Sequence, residues 1–206
     1  MKVLMHGAEP EEAKLIVILL HGRGASGDDI MGLSQEIEGD DICWLAPTAL
    51  NNAWYPARFM ERRAANEPFL TLSTEQVKGL IAEFPIEKVI LGGFSQGACL
   101  TADILARHPM PLAGAWLFSG GLIGTDEELP AVTQAYQGLP VTLSGSLQDP
   151  HIPAERMKRT AQHLGQMGAR VETLHYDFPS HQIAAEEVEL AQQVLQQVRA
   201  RLDGRT

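Results

Sequence analysis

A five-residue motif, Gly93-Phe94-Ser95-Gln96-Gly97, constrains the fold of this chain more than any other feature of its sequence. It follows the apolar run Val89-Ile90-Leu91 and precedes a predicted helix over residues 98–107. Where a strand turns sharply into a helix, the central side chain reaches an exposed tip, and residues without a Cβ atom are needed two places before and after it. The sequence therefore predicts a nucleophile elbow centred on Ser95.

The rest of the chain alternates apolar runs with amphipathic stretches. A Ser73-Thr74-Glu75-Gln76 capping box predicts a helix ending near residue 84, and further helices are predicted over residues 154–167 and 182–202. This alternation predicts an α/β fold, with a mostly parallel central sheet covered on both faces and ligands at the carboxyl ends of its strands. The predicted strands are residues 14–20, 41–46, 88–91, 113–118, 141–143 and 171–176.

Composition limits the classes of function. A chain of 206 residues with 45% hydrophobic content suits one domain over residues 1–206. Its net charge of −10 argues against nucleic-acid or anionic-membrane partners. The densest apolar run, residues 15–20, is far shorter than the roughly 18 residues that span a bilayer, so we expect no membrane insertion. Cys43 and Cys99 cannot make a disulfide framework and are predicted to be small buried side chains, so a reducing, cytoplasmic location is expected. A homodimer is left open.

A serine nucleophile requires a base within hydrogen-bond reach and an acid that orients this base. In proteins with a nucleophile elbow, the triad residues follow one another along the chain in the order serine, acid, histidine. Asp149 is the preferred acid, because it lies in a Gln148-Asp149-Pro150 turn just beyond the strand predicted at residues 141–143. Asp126 and Asp177 are the alternatives.

His181 is the preferred base, because it follows the last predicted strand and directly precedes the final helix. Structural or surface roles suffice for the other histidines. No pair of histidines has the helical spacing of a metal site with a carboxylate partner, so no metal is predicted. The other histidines are His6, His21, His108, His151, His163 and His175.

The motif His21-Gly22-Arg23-Gly24 ends the first predicted core strand. Acyl transfer builds negative charge on the substrate carbonyl oxygen, and preorganised backbone N–H groups stabilise that charge. The backbone amides of Arg23 and Gln96 are therefore the predicted oxyanion donors, the latter directly following the nucleophile. His21 is predicted to hold the loop by hydrogen bonds, and the Arg23 side chain is either a solvated charge or part of the cleft mouth.

Together these motifs, with Pro153 after the acid, resemble the phospholipase/carboxylesterase family of α/β-hydrolases, which includes acyl-protein thioesterases. The resemblance runs from about residue 15 to the last helix. It implies a serine esterase without cofactor and with a small or absent lid, and it assigns the nucleophile, acid, base and oxyanion donors to the residues chosen above. Arg23 replaces a usually apolar residue of eukaryotic thioesterases and His151 a usually aliphatic one, which favours a bacterial carboxylesterase branch.

The segment 51–69 is too irregular for core structure and is predicted to overhang the site. Its aromatic side chains would form an amphipathic wall for the substrate, with simple packing beneath the loop as the alternative. Two residues in the loop after Ser119 are further pocket candidates. The predicted substrate-binding residues are Trp54, Tyr55, Phe59, Leu122 and Ile123.

The sequence thus predicts a carboxylesterase that cleaves small, short-chain esters through an acyl-enzyme on Ser95. A lysophospholipase or acyl-thioesterase on the same triad is the nearest alternative, and it would need a long apolar groove. A non-catalytic ligand-binding protein with this fold is the alternative from another class, but such proteins usually lack a triad member. A dienelactone hydrolase is disfavoured, because the elbow carries serine in place of cysteine.

Overall fold

The centre of the structure is a seven-stranded sheet, seen in a computed structural model that describes residues 1–204. Its strands are β1 (Lys2–Gly7), β2 (Leu15–Leu20), β3 (Ile42–Thr48), β4 (Val89–Phe94), β5 (Gly114–Phe118), β6 (Pro140–Ser146) and β7 (Arg170–Tyr176). In space their order is β1-β3-β2-β4-β5-β6-β7. β1 pairs antiparallel with β3, and all other neighbours in the sheet are parallel. The predicted fold class is confirmed.

Helices cover both faces of the sheet. They are α1 (Gly27–Met31), α2 (Phe69–Ile81), α3 (Gln96–Arg107), α4 (Ala154–Gln166) and α5 (Ala185–Leu202). The middle three bury apolar side chains in one hydrophobic cluster, whereas α1 and α5 contribute to a second cluster on the opposite face. Alternate residues of β2 enter the two clusters, which explains why its sequence is aliphatic at every position. No helix within residues 1–204 is both long and apolar enough to cross a membrane.

Local differences from the predicted elements have identifiable reasons. β1 has no predicted counterpart, because an exposed edge strand lacks the continuous apolar run of a buried one. The capping-box prediction at Ser73 is wrong, since α2 begins at Phe69 and Ser73 lies inside it. The Ser73 hydroxyl instead donates a hydrogen bond of 2.6 Å to the carbonyl oxygen of Trp54, a tertiary contact that no local pattern reveals.

The passage from β4 into α3 depends on two very close backbone contacts. A Cβ atom on Gly97 would lie 2.1 Å from the carbonyl oxygen of Leu20, and one on Gly93 would lie 2.4 Å from the carbonyl carbon of Gly97. Both distances are well inside van der Waals contact. The first turn of α3 can therefore rest against the ends of β2 and β4 only because both side chains are absent.

We predict that Gly97→Ala forces α3 away from β2 and lowers the free energy of unfolding by about 1–3 kcal/mol, as overpacking does elsewhere. Gly79→Ala is the matched control, because Gly79 lies inside α2 and a Cβ atom there meets nothing within 4 Å. That control should keep or raise stability by roughly 0.5–1 kcal/mol. Urea denaturation of both variants measures the difference, and equal stabilities would contradict the close contact between α3 and β2.

Candidate active site

Ser95 occupies the tip between β4 and α3 in a rarely populated backbone conformation, with φ 54° and ψ −115°. A positive φ is uncommon for a residue with a side chain, so the surrounding structure has to hold it. The Ser95 amide donates a 2.9 Å hydrogen bond to the carbonyl oxygen of Phe118 on the neighbouring strand. The hydroxyl consequently projects from the carboxyl end of the sheet, as the elbow motif predicts.

A chain of two hydrogen bonds joins Ser95, His181 and Asp149. The Nε2 atom of His181 lies 2.8 Å from the Oγ atom of Ser95, and its Nδ1 atom lies 2.7 Å from Oδ2 of Asp149. A carboxylate only accepts hydrogen bonds, so Nδ1 carries the proton of the neutral ring and Nε2 accepts from the serine hydroxyl. The structure thus brings together the three residues that sequence reasoning selected.

Asp149 is held rigidly below the surface of the site. Its side chain is fully buried, and Oδ1 accepts hydrogen bonds from the backbone amides of His151 at 2.7 Å and Ile152 at 3.0 Å. These two donors belong to the loop that follows β6, so the loop folds around its own carboxylate. The second oxygen is left to face His181.

Ring contacts position His181, and a buried carboxyl group fixes the end of the loop that carries it. Its ring lies 4.9 Å from that of Phe94 and 4.7 Å, edge on, from that of His151, measured between centroids. The loop that carries His181 runs from β7 to α5. Glu187 accepts hydrogen bonds there from the Ala184 amide at 2.7 Å and the Tyr176 hydroxyl at 3.2 Å, and burial raises the pKa of Glu187.

The alternative acids lie elsewhere. Asp126 forms ion pairs with Arg156 at 2.8 Å and Arg159 at 2.6 Å, on the α4 side of the sheet. Asp177 is exposed and accepts a 2.9 Å hydrogen bond from the side-chain amide of Gln148. Neither carboxylate bonds to His181 in the part of the chain that the structure describes, so neither can orient its ring.

Arg23 and Gln96 both line the cleft that contains Ser95. Arg23 follows the end of β2, and Gln96 is the first residue of α3. Among the protein groups of residues 1–204, neither amide finds a hydrogen-bond acceptor. Both N–H groups are therefore available to a substrate atom, and the start of α3 adds the positive end of its helix dipole.

His21 supports the Arg23 loop from below. It is completely buried, its Nε2 atom accepts a 3.0 Å hydrogen bond from the Ala49 amide, and its Nδ1 atom therefore donates to the carbonyl oxygen of Gly22 at 2.7 Å. Burial lowers the pKa of His21, which keeps the ring neutral and both hydrogen bonds intact. This is the structural role that the sequence predicts for it.

Two side chains of this region fasten the segment 54–57 to the site. The side-chain oxygen of Gln96 accepts from the Trp54 amide at 2.9 Å, and its side-chain nitrogen donates to the Tyr55 carbonyl at 2.7 Å. The Arg23 guanidinium donates to the carbonyl oxygens of Pro56 at 2.8 Å and Ala57 at 2.6 Å. Sequence reasoning missed both contacts, since nothing local in the chain signals them.

A cleft of about 780 Å³ opens beside the Ser95 hydroxyl. Of the predicted substrate-binding residues, Tyr55 and Phe59 border it. Residues 150–153 directly follow Asp149, so their place in the cleft wall could have been predicted from the sequence. The lining residues that were not predicted include Arg58, Met60, Phe94, Cys99, Pro150, His151, Ile152 and Pro153.

Three predicted pocket residues do not border the cleft. Trp54 is completely buried, because its indole nitrogen donates a 2.9 Å hydrogen bond to the carbonyl oxygen of His21 beneath the site. Leu122 and Ile123 are also completely buried. Their loop is drawn down onto α4, where the Arg156 guanidinium donates to the Leu122 carbonyl at 2.7 Å, so both side chains join the core.

Comparisons with known proteins identify the family of this chain. A family model described as Phospholipase/Carboxylesterase matches residues 5–199. Acyl-protein thioesterase 1 of Candida albicans is 28% identical over 213 residues, covering 88% of this chain and 90% of that protein. A phospholipase/carboxylesterase structure from Dyadobacter fermentans has a TM-score of 0.88 at 33% identity, covering 94% of this chain and 96% of its own. The esterase PE8 has a TM-score of 0.77 at 25% identity, covering 96% and 100%.

The family match extends over nearly the whole chain and includes every element that carries a site residue. The two solved structures share the fold over almost their full lengths. The chain therefore belongs to the phospholipase/carboxylesterase family, whose members are serine hydrolases that act on esters.

Proposed function

We propose that this hydrolase is a carboxylesterase in which Ser95 is the nucleophile, His181 the general base and Asp149 the residue that orients this base. The hydrogen bonds of 2.8 Å and 2.7 Å that link the three side chains support this proposal most directly. Serine and base within hydrogen-bond reach, with the base held by a third group, is the arrangement that activates a hydroxyl at neutral pH.

In the first half of the reaction, the Ser95 oxygen attacks the ester carbonyl carbon while its proton moves to Nε2 of His181. The tetrahedral intermediate collapses when the bond from carbon to the leaving alcohol oxygen breaks, and His181 returns the proton to that oxygen. The acyl group is then bonded to Ser95. Water repeats the sequence with the same proton acceptor, and releases the carboxylic acid and the free serine.

The backbone amides of Arg23 and Gln96 are proposed to stabilise the oxyanion of each tetrahedral intermediate. They are unpaired by protein groups within residues 1–204, their residues line the same cleft as Ser95, and hydrogen bonds to residues 54–57 hold both side chains in place. Preorganised donors of this kind need no rearrangement as charge develops, and losing one typically costs about a hundredfold to a thousandfold in rate.

We propose short acyl chains as the preferred substrates. Tyr55, Phe59 and Cys99 border the cleft yet are each at most 9% exposed, so their side chains form a floor beyond which the core is packed. A thioesterase or lysophospholipase acting on long chains is the second candidate, favoured by the similarity to acyl-protein thioesterase 1.

Labelling by a fluorophosphonate tests the nucleophile. We expect one labelled serine, Ser95, and neither labelling nor ester turnover above background in Ser95→Ala. Ser180→Ala is the matched control, because this serine is next to His181 in sequence, whereas the ring nitrogens of His181 bond to Asp149 and Ser95 within residues 1–204, and labelling should persist there. A labelled Ser95→Ala protein would remove the assignment, and an unlabelled wild type would favour a non-catalytic binding protein.

The acid can be tested by Asp149→Asn, which replaces the acceptor of the His181 Nδ1 proton with an amide. Because the ring then favours the wrong tautomer, kcat should fall by roughly a thousandfold to ten-thousandfold, while KM changes far less. Asp177→Asn serves as control, since Asp177 is exposed and four residues from His181. Near-normal kinetics of Asp149→Asn beside a disabled Asp177→Asn would reverse the choice of acid.

Chain-length preference is measured with p-nitrophenyl esters. We expect efficient turnover from acetate to hexanoate and poor turnover of palmitate, with graded steps, because each buried methylene contributes only about 0.8 kcal/mol. Matched acyl thioesters in the same assay separate the two candidates. An optimum at long acyl chains, or a strong preference for palmitoyl thioesters, would replace the short-chain assignment.

A further inference from the structure

The charge of the cleft wall differs in sign from that of the whole protein. The chain carries 26 acidic and 16 basic residues. Nevertheless, the residues that line the cleft within residues 1–204 include two arginines, Arg23 and Arg58, and no aspartate or glutamate. Asp149 lies behind His181 with a fully buried side chain, and within residues 1–204 it forms no ion pair with either arginine of the wall.

Arg58 is an exposed cation of this wall. In the described part of the chain no hydrogen bond or ion pair to its guanidinium is found. Its backbone carbonyl oxygen accepts a 3.2 Å hydrogen bond from the side-chain amide of Asn66. The backbone is thus fixed while the charged end remains free. No contact within the described residues therefore gives the Arg58 guanidinium a structural role.

Arg23 is fixed in place without being neutralised. Two of its five N–H groups donate to the carbonyls of Pro56 and Ala57, and its guanidinium carbon lies 5.7 Å from the centre of the Tyr55 ring. Carbonyl oxygens and an aromatic face carry no net charge. Three donors and the full positive charge therefore remain for another group, in a side chain that has already lost its rotational freedom.

Several other arginines of this protein form ion pairs with carboxylates. Arg63 and Arg107 share the buried carboxylate of Asp103, and Arg156 and Arg159 share Asp126. Pairing with an acid is therefore common for arginines near the core of this fold. Within residues 1–204 Arg23, Arg58, Arg62 and Arg201 form no ion pair with an acid, and of these four only Arg23 and Arg58 lie on the wall where a substrate would lie.

On the basis of the esterase function proposed above, we infer that the preferred ester carries a carboxylate group, bound by the guanidinium groups of Arg23 and Arg58. Guanidinium forks bind planar carboxylates through paired, charge-assisted hydrogen bonds. A cleft with low-dielectric walls also concentrates the field of a small cluster of charges, in a protein whose overall charge would otherwise repel an anion. Since Arg23, Arg58 and Ser95 line one cleft, a single substrate can present its ester bond to Ser95 and its carboxylate to the arginines.

Two pairs of esters, matched in size, test the inference and distinguish the acyl side from the alcohol side. The first pair is the mono-p-nitrophenyl ester of adipic acid against p-nitrophenyl hexanoate, and the second is 4-carboxyphenyl butyrate against 4-carbamoylphenyl butyrate. In one pair the charged member should have a kcat/KM higher by roughly tenfold to a hundredfold, the usual effect of a charged hydrogen bond. Added NaCl should reduce that ratio, because salt screens exposed charges.

Arg58→Gln should reduce the ratio of charged to neutral ester by about tenfold, and Arg58→Lys, which keeps the charge without the fork, should reduce it less. Arg62→Gln is the matched control, because it removes the same charge from an exposed position of the same segment outside the cleft, and its ratio should equal that of the wild type. Thermal unfolding of all three variants confirms that the fold is retained.

The outcomes separate the two proposals. Turnover of the neutral esters with no preference for the charged member of either pair would overturn the carboxylate inference and leave the esterase proposal standing. The carboxylate inference also fails if Arg58→Gln and Arg62→Gln both give the same ratio as the wild type. Absence of all ester turnover together with an unlabelled Ser95 would instead remove the esterase proposal, and the present inference with it.

Discussion

The close approach of α3 to the ends of β2 and β4 is the constraint on which the rest of the site depends. Gly93 and Gly97 permit it, since a Cβ atom at either position would overlap neighbouring backbone. This contact forces the chain to turn within one residue, and Ser95 takes up the positive φ of that turn. The direction of the hydroxyl and the free amide at the start of α3 both follow from the same backbone geometry.

The pairing of β6 with β7 sets the distance between acid and base. The two strands run parallel in register from Pro140↔Arg170 to Ser146↔Tyr176, and the Leu147 amide extends the pairing by a 2.9 Å bond to the Tyr176 carbonyl. Asp149 and His181 leave the sheet just beyond this point. A slip of one residue would move one loop by about 3.3 Å and break the hydrogen bond between them. The geometry of the site is therefore a property of the sheet as much as of its loops.

Features written in short stretches of sequence could be predicted, and features made by distant contacts could not. Three features can be recognised directly in the sequence: the aliphatic run of β2, the glycines around Ser95, and the chain order of serine, acid and histidine. The prediction for Trp54 is wrong because its burial depends on a bond to the His21 carbonyl, 33 residues away. The predictions for Leu122 and Ile123 are wrong because a buried arginine on α4 pulls their loop inward. An aromatic or aliphatic residue in a loop looks the same in sequence whether it faces substrate or core.

The position of residues 54–57 depends on two side chains from other parts of the chain, which matters for any change of this segment. Their backbone groups are bonded to the side chains of Gln96 and Arg23, the two residues whose own amides are the proposed oxyanion donors. This wall of the cleft and the amides beside Ser95 thus form a single rigid unit. A loop transplanted from a relative to alter specificity would have to bring its own partners at positions 23 and 96. Without them, a change meant for substrate choice would also displace the groups beside the reacting carbonyl.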